Sequence, residues 1–192
     1  MVVAKDDGIT DDVRKREDEY FRRQDRELIE RLRRASVAEQ ERHALETQTG
    51  IHDAAMLEQL QDLGFTPATI ALLPLIPVLQ VAWAEGGVSA AERTAILNLA
   101  RSRGIEVGTE ADHQLVEWLD RRPSADTFRK ATRLIAAMVE HPGEGFQDVT
   151  ADDLLKYCEQ IAHASGGIFG IGAVSADERK ALEQIAVQLK NR

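Results

Sequence analysis

Five successive stretches in the later part of this sequence each open on serine or threonine and then run on without a proline. They begin at Ser89, Thr109, Ser124, Thr150 and Ser175. In four of them an acid follows three residues later: Glu92 after Ser89, Asp112 after Thr109, Asp153 after Thr150 and Glu178 after Ser175. A hydroxyl at a helix cap accepts from a free backbone N–H, the acid reaches back to the cap, and its negative charge suits the helix N-terminus. Gly104 and the Pro142-Gly143 pair supply stops. So many start and stop signals, with no credible strand between them, predict an all-α fold.

The first part of the chain obeys a different rule. Asp11 to about Glu46 contains no glycine or proline, is dense in charge, and carries a thin apolar stripe of Phe21, Leu28, Leu32, Ala35 and Leu45. This predicts one long helix over residues 11–48, after a disordered start at residues 1–10 and before a helical body at 53–192. The stripe fits a coiled-coil seam with few of its positions filled. It could pair with a second copy of the chain, with a protein partner, or with the body.

Between these regions, AAMLEQLQDL is followed by Gly64, Phe65, Thr66 and Pro67, which predict a helix stop, a cap at Thr66 and a new helix opening on Pro67. In ALLPLIPVLQVAWA, Pro74 and Pro77 should break the apolar run near Leu73. A helix can restart there and reach Ala84 or Glu85; apolar nearly all round, it should be the buried centre of the body.

Composition narrows the function. With 43% hydrophobic residues, a chain of 192 residues can bury a sizeable core. A formal charge of −9 argues against general affinity for nucleic acid, whose phosphates require clustered Lys and Arg. No apolar run approaches the ~20 residues needed to cross a bilayer, so no membrane insertion is expected. One cysteine, Cys158, excludes an internal disulfide and suits a reducing compartment. A cytoplasmic location is the expectation.

The body repeats itself. Val81-Ala82-Trp83-Ala84-Glu85-Gly86-Gly87, followed by Val88-Ser89-Ala90-Ala91-Glu92-Arg93, recurs as Ile161-Ala162-His163-Ala164-Ser165-Gly166-Gly167, then Val174-Ser175-Ala176-Asp177-Glu178-Arg179. Each unit is a helix, a glycine turn and a capped helix, and the second inserts Ile168 to Ala173 before its cap. Two such pairs could pack about a pseudo-twofold axis.

This arrangement, with the late ASGGIFGIGAVSADER segment, resembles the tellurite-resistance TerB-like family over about residues 70–192. The resemblance implies a compact helical domain linked to tellurite resistance and stress response, with acidic positions at the turns as a candidate divalent-cation surface. Carried over residue by residue, it selects Glu85, Glu92, Asp177 and Glu178. Helix capping already explains Glu92 and Glu178, and Ser165 stands where a second acid would mirror Glu85. Separately, REDEYFRRQDRELIERLRR, residues 16–34, resembles the helical segment of the mitochondrial ATPase inhibitor family, which implies a regulator laying Phe21, Leu28 and Leu32 in a partner groove.

No chemistry-bearing constellation stands out. The histidines at 43, 52, 113, 141 and 163 form neither HExxH nor a zinc quartet with cysteine. Cys158 and His163, five apart on one helix, face badly for a nucleophile and its base, and a buried packing role suits Cys158 better. His163, in the place of Trp83, should pack or brace its turn. GGIFGIG lacks the Lys-Ser/Thr end of a phosphate loop, so Ile168 and Phe169 should tuck into the body or form a partner-binding patch. The expectation is a non-enzymatic binding or scaffold module, without a cofactor unless a divalent cation binds.

Overall fold

The structure is a computed structural model and describes residues 7–143, 146–147, 149–164 and 174–190. Among these residues there are eight α-helices, one 3-10 helix and no strand, so the fold is all-α as the cap signals predict. The helices are α1 (Asp7–Thr49), α2 (Ala54–Asp62), α3 (Ile76–Ala82), α4 (Ala90–Ser102), α5 (Glu110–Asp120), α6 (Ala125–Glu140), α7 (Ala151–Ala164) and α8 (Ala176–Lys190), with the 3-10 helix at Ile70–Leu75.

The long first helix forms, but its limits differ from those expected. It begins at Asp7, so residues 7–10 belong to the helix and not to a disordered start. Extending an existing helix adds one hydrogen bond for each residue fixed, so the long segment carries its own end. The division of the chain also moves. One compact unit ends at Glu41 and the other starts at Arg42, inside α1 and not in the expected linker after residue 48. Leu45 is fully buried in the second unit's core, and the buried Thr49 hydroxyl donates to the Leu45 carbonyl at 2.7 Å while accepting from the Ile51 N–H at 3.2 Å. The last two turns of α1 are therefore part of the body.

Asp53 caps α2 by accepting from the Met56 N–H at 2.9 Å. At the other end Gly64 takes the left-handed conformation with φ +83°, the Phe65 N–H reaches the Leu60 carbonyl at 3.0 Å, and Phe65 folds back into the core. No α-helix opens at Pro67, contrary to expectation. Thr66 and Thr69 instead close a turn, with the Thr66 N–H on the Thr69 hydroxyl at 2.9 Å and the Ile70 N–H on the Thr66 carbonyl at 2.9 Å. Pro74 and Pro77 supply no amide hydrogens, so regular α-helical bonding cannot pass through both, and a short 3-10 helix bridges to α3.

Pro77 stands in the first turn of α3, where its missing N–H costs nothing, and the helix ends at Ala82, slightly earlier than expected. Ile76, Val78, Leu79, Val81 and Ala82 are all buried, and α4, α6, α7 and α8 pack around α3. It is the central helix that its apolar sequence predicts.

Two of the four expected capping pairs close both bonds as read. Ser89 accepts from the Glu92 N–H at 3.2 Å while Glu92 accepts from the Ser89 N–H at 2.7 Å. Ser175 and Glu178 make the matching pair at 3.1 Å and 2.8 Å. Asp112 differs: Thr109 caps its N–H at 3.2 Å, but the carboxylate accepts from the Gly108 N–H at 2.8 Å and pairs with Arg101. The Gly108 amide and, next, the Arg101 guanidinium hold Asp112 below the usual carboxylate range.

Candidate functional site

Among the described side chains, no apolar position of α1 before Leu45 belongs to the core. Phe21 is 61% exposed, Leu28 49% and Leu32 61%, with Tyr20, Ile29 and Val37 exposed beside them. Tyr20 and Phe21 meet edge to face, their ring centroids 5.9 Å apart. Around this stripe the helix solvates its charges by local pairing, as in Arg34 to Glu30 at 3.4 Å and Arg22 Nε to the Asp18 carbonyl at 3.1 Å. A helix with an apolar strip and a charged remainder can lie in a groove or along another helix.

The two glutamates singled out as both caps and candidate cation ligands are buried, Glu92 at 3% and Glu178 at 1% exposure. Loss of solvent raises the Glu92 pKa, the Ser89 hydrogen bonds oppose this, and the charges of Glu178 and Glu85 add to the rise. Glu85 and Glu178 thus lie near enough for their charges to act on Glu92, and Glu85 and Asp177 are exposed. Among the described residues, no group of three or more His, Cys, Asp or Glu side chains is placed to hold a metal ion. Each buried carboxylate already has a structural task, holding the first turn of its helix.

A third region was not legible beforehand. A cleft of about 970 Å³ opens where α1 ends against the end of α6, with Glu46, Gly50, His52, Met56, His141 and Gly143 among its walls. Gly50 has φ +72°, and a Cβ there would collide with the His141 carbonyl and the Gly143 backbone. Gly143 would in turn press on the Gln48 carbonyl. Two glycines thus let two chain segments touch backbone to backbone. Beside them Glu46 accepts from His52 Nδ1 at 2.8 Å and lies 3.5 Å from His43 Nδ1, and the hydrogen bond to His52 is the main cause of its lowered pKa. Gly143 was read only as a helix stop; the glycine directly following a long helix was the available signal.

Elsewhere Cys158 is buried and its thiol is pushed up to about 12, chiefly by desolvation, which keeps it protonated and agrees with a packing role. His163 is exposed, so it does not pack as Trp83 does. Trp83 is half-buried and donates from its indole N–H to the Trp118 carbonyl at 2.9 Å, while the Trp118 ring meets Phe65 edge to face at 5.8 Å. Ile168 and Phe169 lie outside the described residues. No helix among the described residues is long and apolar enough to cross a membrane. Compared with family models, with curated proteins and with solved structures, the chain matches none.

Proposed function

We propose that this chain is a non-enzymatic binding or scaffold module, a TerB-like helical body carrying a recognition helix, and that it serves a stress-response assembly. The observation that carries the reading is the row formed by Phe21, Leu28 and Leu32, three large apolar side chains each about half exposed or more on a helix segment outside the core. Isolated exposed apolar residues need no explanation, but an aligned row does. The TerB-like part of the reading is supported by the sequence repeat and by its two capping boxes, which make equivalent hydrogen bonds. The stress-response setting comes from the resemblance alone.

The stripe suits a protein partner with an apolar groove, the mode a regulator of the ATPase-inhibitor kind would use, and equally suits pairing between two copies of the chain. Affinity capture from native lysate should compare the full chain with the triple substitution Phe21→Glu, Leu28→Glu and Leu32→Glu, with identification by mass spectrometry. Loss of a specific partner, with the melting temperature unchanged, supports the reading. Retention of that partner would move recognition to the helical body. Sedimentation equilibrium separates the self-pairing version, because only there should the triple substitution convert a dimer to a monomer.

A further inference from the structure

We propose that the groove between α6 and α8 is a docking site for a short acidic peptide segment of another protein. The groove encloses about 760 Å³ over a floor that includes Phe128 and Gln80. Gln80 belongs to the central helix α3, against which both α6 and α8 pack. Its side-chain oxygen Oε1 is buried and has no hydrogen-bond donor among the described residues. A buried amide oxygen left unpaired is costly, and turning the Gln80 amide toward an N–H in the groove would relieve that cost.

The charge of the groove runs against the charge of the chain. Arg122, Arg129 and Lys180 line it with Glu183 as the only acid, in a protein whose formal charge is −9. Arg129 leans on Asp126, which Lys130 also reaches at 2.9 Å, whereas Arg122 and Lys180 have no ion-pair partner among the described residues. Two such cations lining a concave surface favour a carboxylate, which a guanidinium can bind through two parallel hydrogen bonds. Val187, an exposed apolar residue on the α8 wall, adds a contact for an apolar neighbour of that carboxylate.

The shape favours polypeptide over a small acid. The α8 wall runs from Lys180 to Gln188, about 12 Å at the helical rise, room for roughly four extended residues. Gln184 has an amide that can both donate and accept, as the N–H and C=O groups of an extended chain require. Side chains that alternate between the two walls would then place acids toward Arg122 and Lys180.

This proposal rests on the binding-module reading but not on α1, so the two can fail separately. The experiment is panning of a displayed library of random twelve-residue peptides on the full chain and on its Arg122→Glu/Lys180→Glu variant. Acidic sequences should be enriched on the native chain and not on the variant. The best peptide, synthesised and labelled, should bind the variant ~10-fold or more weakly by fluorescence anisotropy. Gln80→Met should also weaken it, with the peptide's affinity for the α1 triple substitution unchanged. Absence of acidic enrichment on the native chain, or equal enrichment on both proteins, overturns the proposal. So does preferential binding of labelled polyuridylate over the peptide, which would make the cations a nucleic-acid contact. Failure of the native chain to bind any acidic peptide, with its lysate capture through the α1 stripe retained, would reject the groove and leave the α1 reading standing.

Discussion

Leu32 and Leu45 lie on the same helix, in similarly charged surroundings, and have opposite fates. Leu32 is 61% exposed and Leu45 is fully buried. Helical periodicity places both on apolar positions but does not say which position meets a core. The compact unit that begins at Arg42 supplies that core for Leu45, so one continuous helix changes physical role along its length. Between Tyr20 and Val37 its large apolar groups are exposed; beyond Arg42, Leu45 is part of the core.

Truncation probes this difference most severely. A chain beginning at Gly50 loses Leu45, Glu46 and Thr49, and its thermal melt should fall by many degrees or lose cooperativity. A chain beginning at Arg42 should melt within about 2 °C of the full protein. Equal losses would show that the upstream segment also supports the body. Point substitutions sharpen the same contrast. Leu45→Ala should cost about 2–5 kcal/mol in urea denaturation, and Leu32→Ala no more than ~0.5 kcal/mol.

The two glycine settings provide a smaller version of the comparison. Gly50→Ala meets both a positive φ and the backbone around His141 and Gly143, and should cost ~2 kcal/mol or more. Gly64→Ala meets a positive φ and open space, so about 1 kcal/mol is expected. If the two cost the same, the close approach of Gly50 to Gly143 contributes nothing.

The carboxylates divide by sign. Asp112 and Glu46 have folded pKa values below their ordinary 3.8 and 4.5. Their contribution is present above those ordinary values and is lost as pH falls through the lower folded ones. Glu92 is raised above 4.5, so its ionised form opposes folding as pH rises through its folded pKa. Asp112→Asn should therefore narrow the gap between stability at neutral and acid pH. Glu92→Gln, whose amide oxygen can still accept from Ser89, should be neutral to slightly stabilising at pH 7, with that difference disappearing at low pH. Melting curves from pH 3 to 8 read both, and destabilisation by Glu92→Gln throughout would show that the charge itself matters to the cap.

Helix starts were legible because capping is local: Ser89 with Glu92 and Ser175 with Glu178 find their partners within one turn, and the sequence spacing carries the geometry. The buried centre was legible for a similar reason, since a run such as VLQVA has almost no polar face to offer water. The turn at Thr66 was misread because Pro67 fits the first position of a helix and of a turn equally well, and the prolines further along decided between them. The candidate sites were only half visible. The stripe of α1 is a sequence pattern, but its exposure depends on where the body ends.

What this chain's sequence determined alone is its helical class, most of its helix starts and the identity of its central helix, all products of hydrogen bonding and hydrophobic periodicity over a few residues. Tertiary structure decided where α1 joins the body, that Gly50 and Gly143 touch, and that the Gln80 oxygen is buried without a donor among the described residues, in a groove that Arg122 and Lys180 also line. Those outcomes depend on packing between segments far apart in the chain, and no local preference encodes which of them will meet.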